Sequence, residues 1–267
     1  GYGFPDWRLR KDKEEEFKKR LYFNAVRLLK SECLDLPPKI FMERRTEIIG
    51  SQNIIYHKIA KELLRELRLP EGIVRIKNSL VKMAKLSQLS SGFLYTDNEQ
   101  QLFPNNPKLE LLKEVIAEIP QDDKIIIYCK WTQDVKNITK FLNEDNIKHA
   151  VLSGSAKNRQ IPIQSFIDDV DTRILLSQIT AGAYGLTLIC SHTILYYSLG
   201  FSAIEYWQSQ DRIHRIGQIK PCIYINLLAS GTIDEYIYQC LQEHTSISRS
   251  LLNNEYIDKL KENLLKE

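Results

Sequence analysis

The spacing of hydrophobic positions changes near Asn105. Before it they recur at helical intervals, and after it short apolar runs alternate with helical stretches. In 6–30, Phe17, Leu21, Phe23 and Val26 stand among charges and predict a charged helix. Leu36-Pro37-Pro38 breaks it, because proline lacks an N–H and restricts the residue before it. Ile55, Ile59, Leu63 and Leu67 recur every fourth residue, so 51–68 reads as an amphipathic helix stopped by Pro70 and Gly72. A short helix is predicted at 80–89, and the polar, Pro/Asn-rich 96–107 reads as a loop.

From Lys108 onward the pattern predicts helices at 108–119, 134–142, 162–166, 202–214 and 233–242. Strands are predicted at 125–129, 150–152, 173–177, 193–197 and 222–228. Ile125-Ile126-Ile127-Tyr128-Cys129 is apolar throughout, as a strand buried on both faces must be. Strands alternating with helices argue for βαβ units. The expected fold class is α/β, an open and mostly parallel sheet with helices on both faces, preceded by a helical region. Ligands of such sheets meet the loops at the carboxyl ends of strands. Those loops hold Lys130-Trp131-Thr132, Ser153-Gly154-Ser155, the segment 178–185 and the run up to Gln218.

Composition narrows the classes without choosing among them. At 267 residues, 43% hydrophobic and 27% charged, the chain can bury a core as one large domain or two small ones. No apolar run approaches the roughly 18 residues of a membrane span, and 1–20 is charged throughout, without a signal-peptide core. No membrane partner is expected. The net charge of +3 is too weak by itself to argue for nucleic acid. Five cysteines, Cys33, Cys129, Cys190, Cys222 and Cys240, are odd in number and lack CxxC spacing. They read as buried free thiols of a reducing compartment. The histidines lack metal-ligand spacing, so no metal site is expected in this chain.

The sharpest candidate chemistry lies in Gln208-Ser-Gln-Asp-Arg212-Ile-His214-Arg215-Ile-Gly217-Gln218. Gln208, Arg212 and Arg215 fall at i, i+4 and i+7, which predicts one helical face. Two guanidiniums and an amide on one face suit a compact polyanion such as a triphosphate, because arginine stays charged and donates several hydrogen bonds. A solvated helix face is the plainer alternative. His214, between the arginines, reads as a packing residue. Trp131, after a strand, could stack on a base or simply pack.

The whole string resembles motif VI of the Swi/Snf-type ATPases, a branch of superfamily-two helicases. Ala181-Gly182-Ala183-Tyr184-Gly185-Leu186-Thr187-Leu188 resembles their motif V, with Ala183 in place of a glycine and Thr187 in place of an asparagine. Segment 124–142 resembles motif IV. Leu152-Ser153-Gly154-Ser155 with Arg159 and Phe166, the segment ending Gly231-Thr232-Ile233-Asp234-Glu235, and Arg27 to Lys39 are similar to further family blocks. The resemblance implies a RecA-like second lobe in which Arg212 and Arg215 are arginine fingers reaching across to a nucleotide. It implies that Gln208, Gly182 and Gly185 face that nucleotide, and that Lys130, Trp131, Thr132, Ser153, Gly154 and Thr180 contact the phosphate backbone of double-stranded DNA.

The sequence holds no GxxxxGK[ST] phosphate loop, and Asp234-Glu235-Tyr236 lies too late to be the family's acidic magnesium motif. The resemblance assigns both, with most of the ATP and Mg2+ contacts, to a first lobe of the same protein. The expected organisation is the end of lobe one, a linker and a helical protrusion over 1–104, the RecA-like lobe over 105–245 and a helical tail over 246–267. The implied function is the second motor lobe of a DNA translocase or remodeller, inactive without lobe one. The alternative is a non-catalytic DNA- or protein-binding module of the same fold. The compact span 124–218 suggests a bacterial, phage or viral source and a cytoplasmic location, or a nuclear one if the source is eukaryotic.

Overall fold

The computed structural model describes residues 10–23, 25, 33–67, 73–96, 100–152, 158–182 and 185–243. The chain divides into two units, Gly1–Leu36 and Pro37–Glu267. In the first, a 3-10 turn Lys11–Lys13 leads into helix α1 (Glu14–Phe23), which buries no residue. Glu14, Glu15 and Glu16 open it and Arg20 sits in its last turn, matching the helix dipole. Lys18 reaches Glu14 at 2.9 Å across one turn.

The second unit follows the alternating pattern. Its elements are β1 (Lys39–Thr46), α2 (Gly50–Leu67), α3 (Ile73–Ser90), β2 (Phe93–Tyr95), β3 (Gln100–Leu102), α4 (Pro107–Glu118) and β4 (Ile125–Cys129). There follow α5 (Thr132–Glu144), β5 (His149–Leu152), α6 (Gln160–Asp168), β6 (Ile174–Gln178), the one-turn α7 (Ile179–Gly182), β7 (Thr193–Tyr196), α8 (Ala203–Gln210), β8 (Cys222–Ala229) and α9 (Ile233–Gln242). Six strands form one sheet in the order β1-β8-β7-β4-β6-β5, with every pair parallel. The expected α/β class and open parallel sheet are therefore present.

Successive side chains of a strand point to opposite faces, and the core divides accordingly. Ile125 and Ile127 of β4 pack with Leu112 and Val115 of α4 and Ile138 and Leu142 of α5. Ile126 and Tyr128 face the other layer, with Tyr56 and Leu63 of α2, Met83 and Leu86 of α3, Tyr206 of α8 and Ile237 of α9. An ion pair crosses the interior. Lys108 of α4 and Asp234 of α9 are in direct contact, at 1% and 2% exposure. Asp234 also accepts from Ser90 Oγ (2.7 Å) and the Ala229 amide (3.2 Å).

Three expectations change. Residues 39–46 form an edge strand paired with β8 from Lys39↔Cys222 to Thr46↔Ala229. That part of the chain falls in the stretch that reads as mostly helical, because the apolar run Ile40-Phe41-Met42 between charges is too short to announce a strand. Within the expected loop 96–107, Gln100–Leu102 pairs antiparallel with Phe93–Tyr95. Of the five thiols, Cys129, Cys222 and Cys240 are buried but Cys33 and Cys190 are exposed. The stop at Pro70 and Gly72 and the tail at 246–267 lie outside the described residues. No helix among the described residues is long and apolar enough to cross a membrane.

Candidate functional site

Helix α8 starts with Ser202 as its cap and ends at Gln210, earlier than the spacing predicts. Residues 211–217 are turns, so Gln208, Arg212 and Arg215 do not share one helical face. Tertiary bonds end the helix. The Leu188 amide donates to the Arg212 carbonyl at 2.9 Å. The buried Gln218 side-chain amide donates to the Ser191 carbonyl (2.9 Å) and the Ile213 carbonyl (3.4 Å). Gly217 closes the turn at φ +98°, and an added Cβ would meet Ile189 Cδ1 at 2.9 Å, so only glycine fits without strain.

The turn still gathers the two arginines. Arg212 is only 6% exposed. Burial pushes its guanidinium down from the ordinary arginine value, and the positive charge of Arg215 pushes the same way. Arg215 is half-buried and donates from Nη1 to Thr187 Oγ1 at 2.8 Å. Among the described residues it forms no ion pair, and its bonded partner is a neutral hydroxyl. A guanidinium bonded to a hydroxyl and not to a carboxylate, with a second arginine near enough to feel its charge, is suited to a dense external anion. Gln208 is exposed on α8, and Gly185 is exposed at φ +51° in the segment leading to Thr187. Gly182 closes α7. His214 is half-buried, with Nε2 2.9 Å from the Pro37 carbonyl, which ties the turn to the start of β1.

The other candidates lie at the carboxyl ends of β4 and β6, as the parallel sheet requires. Lys130 follows β4, and its amide donates to Ser198 Oγ at 2.7 Å. Ser198 in turn donates to the fully buried Asp134. Burial pushes the Asp134 carboxyl up to about 7, against the Ser198 hydrogen bond and the charge of Lys108. Thr132 is exposed and accepts from Gln178 Nε2 at 3.1 Å, which joins the ends of β4 and β6, and Thr180 is exposed on α7. Trp131 turns inward: Nε1 donates to Ser87 Oγ at 3.3 Å, and the ring meets Phe93 edge-on. Those are the contacts of a packing residue. Ser153 and Gly154 lie outside the described residues.

Sequence reasoning missed Thr187, Ser198 and Asp134. Thr187 was visible only as a departure from a motif. Ser198 and Asp134 meet through tertiary structure, with no spacing to announce them. Among the described residues, no group of three or more His, Cys, Asp or Glu could hold a metal ion.

Residues 107–217 match the family model described as helicase conserved C-terminal domain. The ATP-dependent helicase MG018 of Mycoplasma genitalium is 25% identical over 93% of this chain and 24% of its own length. The chain spans between 11% and 24% of the first curated relatives it matches. Among solved structures, the C-terminal part of the Fun30 ATPase domain superposes with a TM-score of 0.64 at 22% identity, covering 86% of this chain and 97% of that one. The Sulfolobus solfataricus SWI2/SNF2 ATPase core in complex with double-stranded DNA gives 0.66 at 21% identity, over 94% of this chain and 56% of that one. At those identities the likeness to the two structures is one of fold, and the fold is that of a RecA-like C-terminal lobe. Residues 107–217 thus carry the helicase C-terminal domain match, and the chain around them has the fold of the C-terminal part of the Fun30 and SWI2/SNF2 ATPase domains.

Proposed function

We propose that this chain is the second motor lobe of an ATP-dependent DNA translocase and that Arg212 and Arg215 act on the nucleotide held by a first lobe of the same protein. The observation that carries this reading is the paired guanidiniums, with Arg215 bonded to a hydroxyl and not to a carboxylate. A site already neutralised from within would have little charge left for a transferring phosphoryl group. Here the charge of Arg215 is kept in a fixed direction, where it can stabilise negative charge that develops on the γ-phosphoryl oxygens. Gln208, Gly182 and Gly185 complete the nucleotide-facing side. The Mg2+ ion and the phosphate cradle belong to the first lobe in this reading.

The second surface is the row of strand-end loops. Lys130, Thr132 and Thr180 stand where backbone phosphates of duplex DNA would be met, and such contacts position a protein without reading sequence. That a solved Sulfolobus relative is in complex with double-stranded DNA supports duplex DNA as the partner. Closing and opening of two lobes around ATP would then move their DNA-binding surfaces past each other. Alone, this chain should bind DNA weakly and hydrolyse no ATP.

The test is steady-state ATPase of the full-length protein with saturating DNA. Arg215→Ala should lower kcat by about 10³-fold or more, the scale of a lost arginine finger, with little change in nucleotide affinity. Arg212→Ala should do the same, and the double variant should be little worse than either. Near-normal turnover in Arg215→Ala would make this turn purely structural. DNA-stimulated turnover by the isolated chain would overturn the division of labour between lobes.

A further inference from the structure

We infer that Thr187 is the positioning residue for Arg215, the group that sets the direction of its guanidinium without spending its charge. The inference rests on the motor reading above and adds to it a residue whose side chain need never touch nucleotide.

Thr187 stands where the sequence departs from the expected asparagine, which by itself suggests a lost contact. The geometry says otherwise. Thr187 Oγ1 accepts from Arg215 Nη1 at 2.8 Å. The backbones that carry the two side chains are already in register. Leu188, next to Thr187, donates its amide to the Arg212 carbonyl at 2.9 Å and is itself 1% exposed. Gln218 ties the 189–191 segment to Ile213 through its side-chain amide. With both ends fixed, the hydroxyl bond selects one direction for the long Arg215 side chain.

Two features make positioning a better account than stability. Thr187 is exposed, and an exposed hydrogen bond adds little to folding. The charge of Arg215 acts on the Arg212 guanidinium, so a fixed acceptor for Arg215 also fixes the field that Arg212 feels. A carboxylate at 187 would hold Arg215 more tightly but would neutralise it. A hydroxyl, or the side-chain carbonyl of asparagine, holds it and leaves the charge for a polyanion.

The experiment uses the full-length protein, saturating DNA and five variants, with a thermal melt of each. Thr187→Val removes the acceptor at nearly constant shape. It should lower kcat about tenfold or more, because small misplacements of a catalytic group are costly, while the KM for ATP and the Tm stay within about twofold and about 1 °C of the parent. Thr187→Ser and Thr187→Asn should each recover most of the lost turnover. Thr187→Val combined with Arg215→Ala should be no slower than Arg215→Ala alone. Parent-like kcat in Thr187→Val beside an inactive Arg215→Ala would overturn this inference and leave the motor reading intact. So would a loss in the double variant equal to the product of the single losses, or a failure of both Ser and Asn to rescue. Near-normal kcat in Arg215→Ala would overturn the motor reading, and this inference with it.

Discussion

Two of the places where the described residues hold cations against burial do so in opposite ways. Lys108 lies in the interior against Asp234, whose carboxylate also accepts from Ser90 and the Ala229 amide. Its charge is consumed inside the protein, and the pair fastens α4 to α9. Arg212 and Arg215 both lie on the turn after α8, where the charge of one acts on the other, and Arg215 has a hydroxyl for its bonded partner. The first arrangement is architecture, because every charge has its opposite at hand. In the proposed reading the second keeps the charge of Arg215 available to an outside anion.

Substitutions should widen or blur that contrast, and the largest effect on stability should come at Lys108. Lys108→Ala leaves Asp234 buried without its cation, which costs about 3–5 kcal/mol, softened by the Ser90 and Ala229 donors. Urea unfolding of the chain measures it. An effect under about 1 kcal/mol would mean that the ion pair is not what holds α4 and α9 together.

Next in size is a pH effect at Asp134, which faces Ser198, Lys108, the Trp131 backbone and Asp234. Its carboxyl is raised from 3.8 to about 7 by burial, so between those values the folded chain holds a proton that the unfolded chain has released. The stability from this group is therefore present at low pH and lost as pH rises through about 7. Urea unfolding at pH 5 to 8 should show that decline, and Asp134→Asn should flatten it. A slope unchanged in the Asn variant would assign the titration elsewhere.

Gly217→Ala should cost about 1–2 kcal/mol, from the positive φ, since the Ile189 side chain that a Cβ would meet is exposed and can move aside. Differential scanning calorimetry would register it as a lower Tm. The smallest effect is expected at the strand ends. Lys130→Ala in the full-length protein should reduce the slope of log K for DNA against log salt by about 0.9, equally for unrelated sequences. An unchanged slope would remove Lys130 from the DNA surface.

The parts of the fold that were legible in sequence are those with strong local signals. The apolar run of β4 and the capped amphipathic pattern of α9 predict their observed bounds, Ile125–Cys129 and Ile233–Gln242. β1 was not legible, because its strand character comes from pairing with β8 and not from alternation along its own residues. The end of α8 at Gln210 was hidden for a similar reason. Nothing between Gln210 and Gly217 breaks a helix locally, and the bonds from Leu188 and Gln218 impose the turn from a distance. Both arginines stand out in the sequence through the motif-like string that holds them. Thr187 and the Ser198–Asp134 pair do not, since a residue that orients another is recognisable only once the chain has brought the two together.

The most direct test of the contrast sets Arg215→Ala beside Lys108→Ala in the same full-length protein, with kcat and Tm measured for both. Arg215→Ala should lose about 10³-fold or more in kcat at an unchanged Tm, whereas Lys108→Ala should melt well below the parent and, assayed below its own Tm, keep most of its turnover. A large fall in Tm for Arg215→Ala, or turnover near the parent's, would contradict the claim that its charge is reserved for an external anion.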